Sequence, residues 1–145
     1  MSTGTREEIR VGGMAIRFLV EGEQTAGSVA VFEFDVPADG RIAAAHSHDA
    51  YDETIYGLEV TLTWTVEGEE TEVGSGEALF IPRGAVHQFA NPGDVYAKAL
   101  AIATPGVIGP DFFREAGAIL EAAGGPPDLA ALGAVMRRHG LTPAA

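Results

Sequence analysis

The sequence predicts an all-β domain, a closed barrel or two-sheet sandwich, followed by two C-terminal helices. Three observations predict it. Apolar residues recur with period two through the first two thirds of the chain, the spacing of strands with at least one buried face. Turn-forming clusters interrupt these runs at short intervals, as many short strands require. Beyond Thr104-Pro105 the period lengthens to that of a helix.

Ile16, Phe18 and Val20 alternate with Arg17 and Leu19; Phe32, Phe34 and Val36 with Val31, Glu33 and Asp35; Leu62, Trp64 and Val66 with Thr61, Thr63 and Thr65. Pro37-Ala38-Asp39-Gly40, Glu67-Gly68, Gly74-Ser75-Gly76 and Asn91-Pro92-Gly93-Asp94 supply the turns between strands. Pro110 opens a first helix, running to about Ala123 and burying Phe112, Phe113, Ala116, Ile119 and Leu120. Gly124-Gly125-Pro126-Pro127 ends it. A second helix starts near Asp128, buries Leu129, Leu132, Val135 and Met136, and stops at Gly140. Arg137, Arg138 and His139 occupy its last turn, where positive charge suits the helix dipole. The 145 residues therefore read as one domain, with the barrel over about 14–105 and the helices over about 110–140.

Composition bounds the rest. A chain of this length buries a core without covalent staples, and with no cysteine it has neither disulfides nor thiolate metal ligands. Nine basic residues stand against 21 acidic ones. That balance, with no basic stripe, disfavours nucleic acid as a partner. The polar N-terminus and the broken apolar runs predict neither a signal peptide nor a membrane span, and so a cytoplasmic protein.

Three of the four histidines stand at metal-ligand spacing. His46 and His48 are two apart, so one strand projects both to one face. Glu53 follows five residues later, an odd offset that would place it on the opposite face of an unbroken strand. Asp49-Ala50-Tyr51-Asp52 must therefore loop or bulge. His87 arrives from a distant strand through Pro82-Arg83-Gly84. Three imidazoles and a carboxylate suit one divalent ion, Fe, Mn, Ni, Co or Zn, without distinguishing among them. Six-coordination would leave two positions for substrate, water or dioxygen.

Gly40-x5-His46-x-His48-x4-Glu53 resembles the first motif of the cupins, and Gly76-x5-Pro82-x-Gly84-x2-His87-x3-Asn91 their second. The resemblance covers roughly residues 28–105. It implies a double-stranded β-helix, or jelly roll, with His46, His48, Glu53 and His87 as metal ligands inside the barrel. It also implies a homodimer. One position departs from the pattern. Leu58-Glu59 is followed by Val60 where the motif usually has glycine, so the turn must change type or bear strain.

Three function classes follow. The leading one is an enzyme similar to quercetin dioxygenases, acting on a small enolic or aromatic substrate with Glu53 as both ligand and catalytic base. The second is a non-redox cyclase, isomerase or lyase that uses the metal as a Lewis acid. The third is a non-catalytic binder of small molecules, its histidines being core polar groups. Asp49 and Asp52 read as loop-shaping acids and His139 as a helix-end residue. Tyr51, Tyr56, Trp64, Phe80 and Phe89 are candidates for a substrate pocket, or ordinary core. Tyr96 and Lys98 alternate after the second motif; exposure is expected, since a buried lone lysine is costly. The helices either cover a second subunit or form a lid over the barrel mouth.

Overall fold

The computed structural model describes residues 6–42 and 44–144. It contains two antiparallel sheets facing one another, with two helices against one end. The strands are β1 (Ile9–Val11), β2 (Met14–Val20), β3 (Ala30–Val36), β4 (His46–His48), β5 (Asp52–Glu59), β6 (Leu62–Val66), β7 (Glu69–Val73), β8 (Ala78–Ile81), β9 (His87–Ala90), β10 (Ala97–Thr104) and β11 (Leu141–Pro143). One sheet runs β1-β2-β3-β10-β5-β8 and the other β11-β4-β9-β6-β7. This is the expected jelly roll with two C-terminal helices.

Strict alternation in β3 buries Ala30, Phe32, Phe34 and Val36 and turns Val31, Glu33 and Asp35 outward. Its neighbour β10 presents only alanines inward. Ala99 pairs with Phe34 and Gly57, and Ala101 with Phe32 and Ile55. Small residues beside large ones let the inner layer interdigitate. On the outer face the Arg17 guanidinium bridges Glu33 and Asp35, each at 2.7 Å, tying β2 to β3.

Two strands lie outside the 14–105 span. β1 extends the first sheet, and β11 returns after the helices to pair with β4, setting Leu141 opposite His48 and Pro143 opposite His46. A three-residue strand ending in proline carries almost no periodic signal, and it forms because β4 offers an edge. Proline is tolerated there, at the edge of a sheet.

Gly57 lies inside β5 because the chain passes within contact of it. A Cβ there would lie 1.9 Å from the Gly74 carbonyl oxygen, and the Gly57 amide donates to Glu77 O at 2.9 Å. Gly57→Ala is therefore expected to cost about 2–3 kcal/mol by forcing main chain apart, read as a lower urea midpoint. Val60 takes φ +62°, so it bears the strain directly. A left-handed conformation costs a non-glycine residue about 1–2 kcal/mol. Glycine returns part of that through its freer unfolded chain. Val60→Gly is expected to stabilise by about 1 kcal/mol net, raising the midpoint at unchanged m-value.

Helix α1 (Pro110–Ala123) begins on proline at its first turn and ends at Gly124 in the left-handed region. Gly117 lets it rest directly on β1, since a Cβ would come within 2.2 Å of Arg10 O. Helix α2 (Leu129–Arg138) is capped by Asp128, whose carboxylate accepts from the Ala131 amide at 3.0 Å. As expected, His139 closes its C-terminus. The His139 ring contacts the Glu115 carboxylate at 2.6 Å and Arg138 reaches it at 2.7 Å, joining the two helices. Leu129 corrects the expected burial, being 58% exposed. Residues 121–130 are all exposed, so the apolar stripe of α2 overhangs what the helix packs against. Among the described residues no helix is long and apolar enough to cross a membrane.

Candidate metal centre

The two sheets divide the four predicted donors between them. His46 and His48 project from β4, and His87 from the adjacent β9, where it lies directly opposite His46. Glu53 comes from β5 in the other sheet. The odd offset between His48 and Glu53 is thus resolved by a crossing: Asp49 and Ala50 bend the chain from one sheet to the other, where inward again means facing the histidines. Local hydrogen bonds hold the crossing. The Asp49 amide donates to Gly140 O, and its carboxylate accepts from Thr142 Oγ1 at 2.7 Å. Asp52 accepts from the Arg83 amide at 2.9 Å and from its guanidinium at 3.2 Å. Both acids shape loops, as their sequence context suggests.

The motif asparagine is structural. Asn91 is buried, donates to Val36 O and Val95 O, and accepts from the Gly93 amide; its own amide binds Gly40 O. The glycine that opens the first motif thereby meets the asparagine that closes the second.

One ring nitrogen from each of His46, His48 and His87 lies within 4.8 Å of the others. Imidazoles sharing one ion at about 2.1 Å would place their nitrogens about 3–4 Å apart, a small contraction away. Glu53 stands outside this trio but reaches it, Oε1 lying 3.8 Å from His87 Nε2. The Nδ1 atoms of His46 and His87 face Ala44 O at 3.1 Å and Ala85 O at 3.0 Å. A proton held there leaves Nε2 with its free electron pair, and the carbonyl fixes the ring so that this nitrogen can face a cation. His48 Nδ1 is buried with no partner among the described residues, as is Trp64 Nε1.

Electrostatics agree with a cation site. Burial, then mutual repulsion with His87, lowers His46 to about 4; burial and the other two rings lower His48 to about 2. Burial also lowers His87, against its bond to Ala85. Burial raises Glu53 to about 8. At neutral pH the cluster therefore holds three neutral imidazoles and a protonated carboxyl, with electron pairs converging. The donors fit a divalent ion of the borderline class.

A cavity of about 530 Å³ opens beside the cluster. Tyr51, Trp64 and Phe89 line it, as the sequence suggested; Tyr56 and Phe80 correct that expectation, being 40% and 57% exposed on the outer face. Tyr96 is exposed, and Lys98 pairs with Glu59 at 3.5 Å. The sequence reading missed Phe112, Phe113, Leu132 and Met136 as cavity wall. Their helical period marked them as buried, but not what they bury. Both helices therefore line the cavity.

A model of the cupin domain matches residues 32–103. The chain belongs to the cupin superfamily. This cupin is 28% identical over 117 residues to quercetin 2,3-dioxygenase of Bacillus subtilis (strain 168), covering 81% of this chain and 34% of that one. It is 35% identical over 68 residues to the tetracenomycin polyketide synthase protein TcmJ of Streptomyces glaucescens, covering 47% and 46% of the two chains. The chain thus spans about a third and just under half of these relatives. Among solved structures, the polyketide cyclase RemF from Streptomyces resistomycificus superposes with a TM-score of 0.60 at 27% identity, over 72% of this chain and 79% of that one.

Proposed function

We propose that this cupin is a metal-dependent enzyme acting on a small, flat, enolic or aromatic substrate, with quercetinase-like dioxygenation as its leading reaction. The observation that carries this reading is the cavity itself. Its walls are largely aromatic and aliphatic, and three clustered histidines line it together with Glu53. Such a cavity binds an apolar ring by burial and orients it by the few polar groups at one end. His46, His48, His87 and Glu53 are the proposed ligands. The bound ion would supply Lewis acidity toward an enolic oxygen and, if redox-active, a route for electrons to dioxygen.

The protein's own part is to hold the ring and move one proton. Phe34, Trp64 and Phe89 form a packed wall, Phe34 and Phe89 stacked at 5.3 Å and Trp64 edge-on to Phe89 at 4.8 Å. A substrate ring against this wall presents its polar edge to the cluster. Glu53, once deprotonated by cation binding, is placed to accept a proton from an enolic hydroxyl and return it to product. The apolar faces of α1 and α2 limit water at the site.

A second reading, cyclisation without redox change, is favoured by the likeness to the polyketide cyclase RemF. Oxygen uptake separates the two. The protein loaded in turn with Fe(II), Mn(II), Ni(II), Co(II) and Zn(II) is offered a flavonol and an aromatic poly-β-ketone. Dioxygenation predicts stoichiometric oxygen consumption with a redox-active ion; cyclisation predicts turnover that persists without oxygen and with zinc. Inertness towards both substrates under every ion would overturn the proposal.

A further inference from the structure

The three histidines are not held alike. A main-chain carbonyl faces Nδ1 of His46 and of His87, whereas Nδ1 of His48 is buried without a partner among the described residues. What His48 has instead is a ring. Tyr51 lies face to face with it, centroids 4.3 Å apart and planes 15° from parallel. The other two imidazoles meet His48 tilted or edge-on, at 5.1 Å and 4.5 Å. Tyr51 is itself 2% exposed, sits at the crossing between β4 and β5, and lines the cavity.

We infer that Tyr51 is a positioning residue for the metal centre, its ring face setting the plane of His48 where the other two histidines use a backbone carbonyl. An imidazole without a hydrogen bond at its outer nitrogen rotates about χ2 unless packing stops it, since that torsion is broad. A parallel ring at stacking distance stops it. The inference rests on the metal-binding reading above.

The test uses Co(II) alone as probe, on the full chain. Tyr51→Phe keeps the ring and is expected to bind Co(II) within about threefold of the unaltered protein. Tyr51→Leu keeps apolar volume without the face and is expected to weaken binding about 10–100-fold, the range of other outer-shell partners. It should also alter the Co(II) d–d spectrum. A residue that merely filled space would lower the melting temperature of the metal-free protein and leave both readouts unchanged in the folded fraction. Equal affinity in Tyr51→Leu, or equal loss in Tyr51→Phe, overturns the inference; the latter would assign the effect to the hydroxyl.

Should Tyr51→Leu not fold, the metal-free unaltered protein still decides. Stacking requires upfield ring-current shifts of the His48 carbon-bound protons that persist in Tyr51→Phe, and ordinary shifts overturn it. Absence of Co(II) binding by the unaltered protein would instead overturn the metal reading.

Discussion

His87→Ala is expected to release the metal ion while the barrel persists. His87 is the centre of the donor set: its ring lies 4.7 Å from His46 and 4.5 Å from His48, and it is the imidazole that Glu53 contacts. Removing it takes away the ring that Glu53 approaches across the two sheets at 3.8 Å as well as one proposed ligand. Loss of an outer-shell partner alone costs about 10–100-fold in affinity, so loss of a ligand should exceed about a hundredfold. Folding should survive. The ring is buried in its neutral form, and its described hydrogen bond is to Ala85 O. Leaving that carbonyl unpartnered costs about 1–3 kcal/mol, within the usual margin of about 5–15 kcal/mol. Elemental analysis after gel filtration, with far-UV circular dichroism on the same sample, checks both halves. Full metal occupancy in this variant would show the ligand assignment to be wrong.

The second large effect is a proton count. Burial raises Glu53 from 4.5 to about 8, so at neutral pH a metal ion must displace its proton. His46 and His48, lowered to about 4 and about 2, are already neutral there and add no pH dependence. Affinity is therefore expected to rise about tenfold per pH unit up to about 8 and then level off. Glu53→Gln should flatten that slope and weaken binding above pH 8. Calorimetric titration with metal in two buffers of different ionisation enthalpy reads this directly, as about one proton released by the unaltered protein and none by the variant. Identical slopes in the two proteins would remove Glu53 from the donor set.

The same shift governs the metal-free protein. A carboxyl whose pKa is raised on folding favours the folded state below 4.5, and that advantage is lost as pH rises through about 8. The lowered histidines act oppositely: their contribution is present above 6.5 and lost as pH falls through their folded values. Glu53→Gln should remove the loss that develops between 4.5 and about 8 and leave the one the histidines cause as pH falls below 6.5.

The cluster was legible because its donors obey local rules. His46-x-His48 needs only the two-residue period of a strand, and His87 is announced by the Pro82 and Gly84 turn before it. Glu53 was legible as a candidate donor but not in its route. Sequence parity required a loop or bulge, and the answer was a change of sheet, which no window of residues can express. Tyr51 shows a further limit. Its type marked it as a pocket candidate, yet its work depends on lying parallel to a ring three residues away, and that is set by how the crossing folds.

Alternation, turn chemistry and the shift from period two to a helical period determined by themselves that the first two thirds of this chain form strands and that two helices follow them. Each of those signals reports the burial of one face, and burial is a property of single segments. Which faces meet was decided only in three dimensions. The helices bury the aromatic mouth of a cavity, Leu129 overhangs its helix's packing surface, Tyr56 and Phe80 turn outward, and β11 closes beside the histidines. The physical reason is common to all four: an apolar residue specifies that it should leave water, and only the packing of whole elements specifies against what.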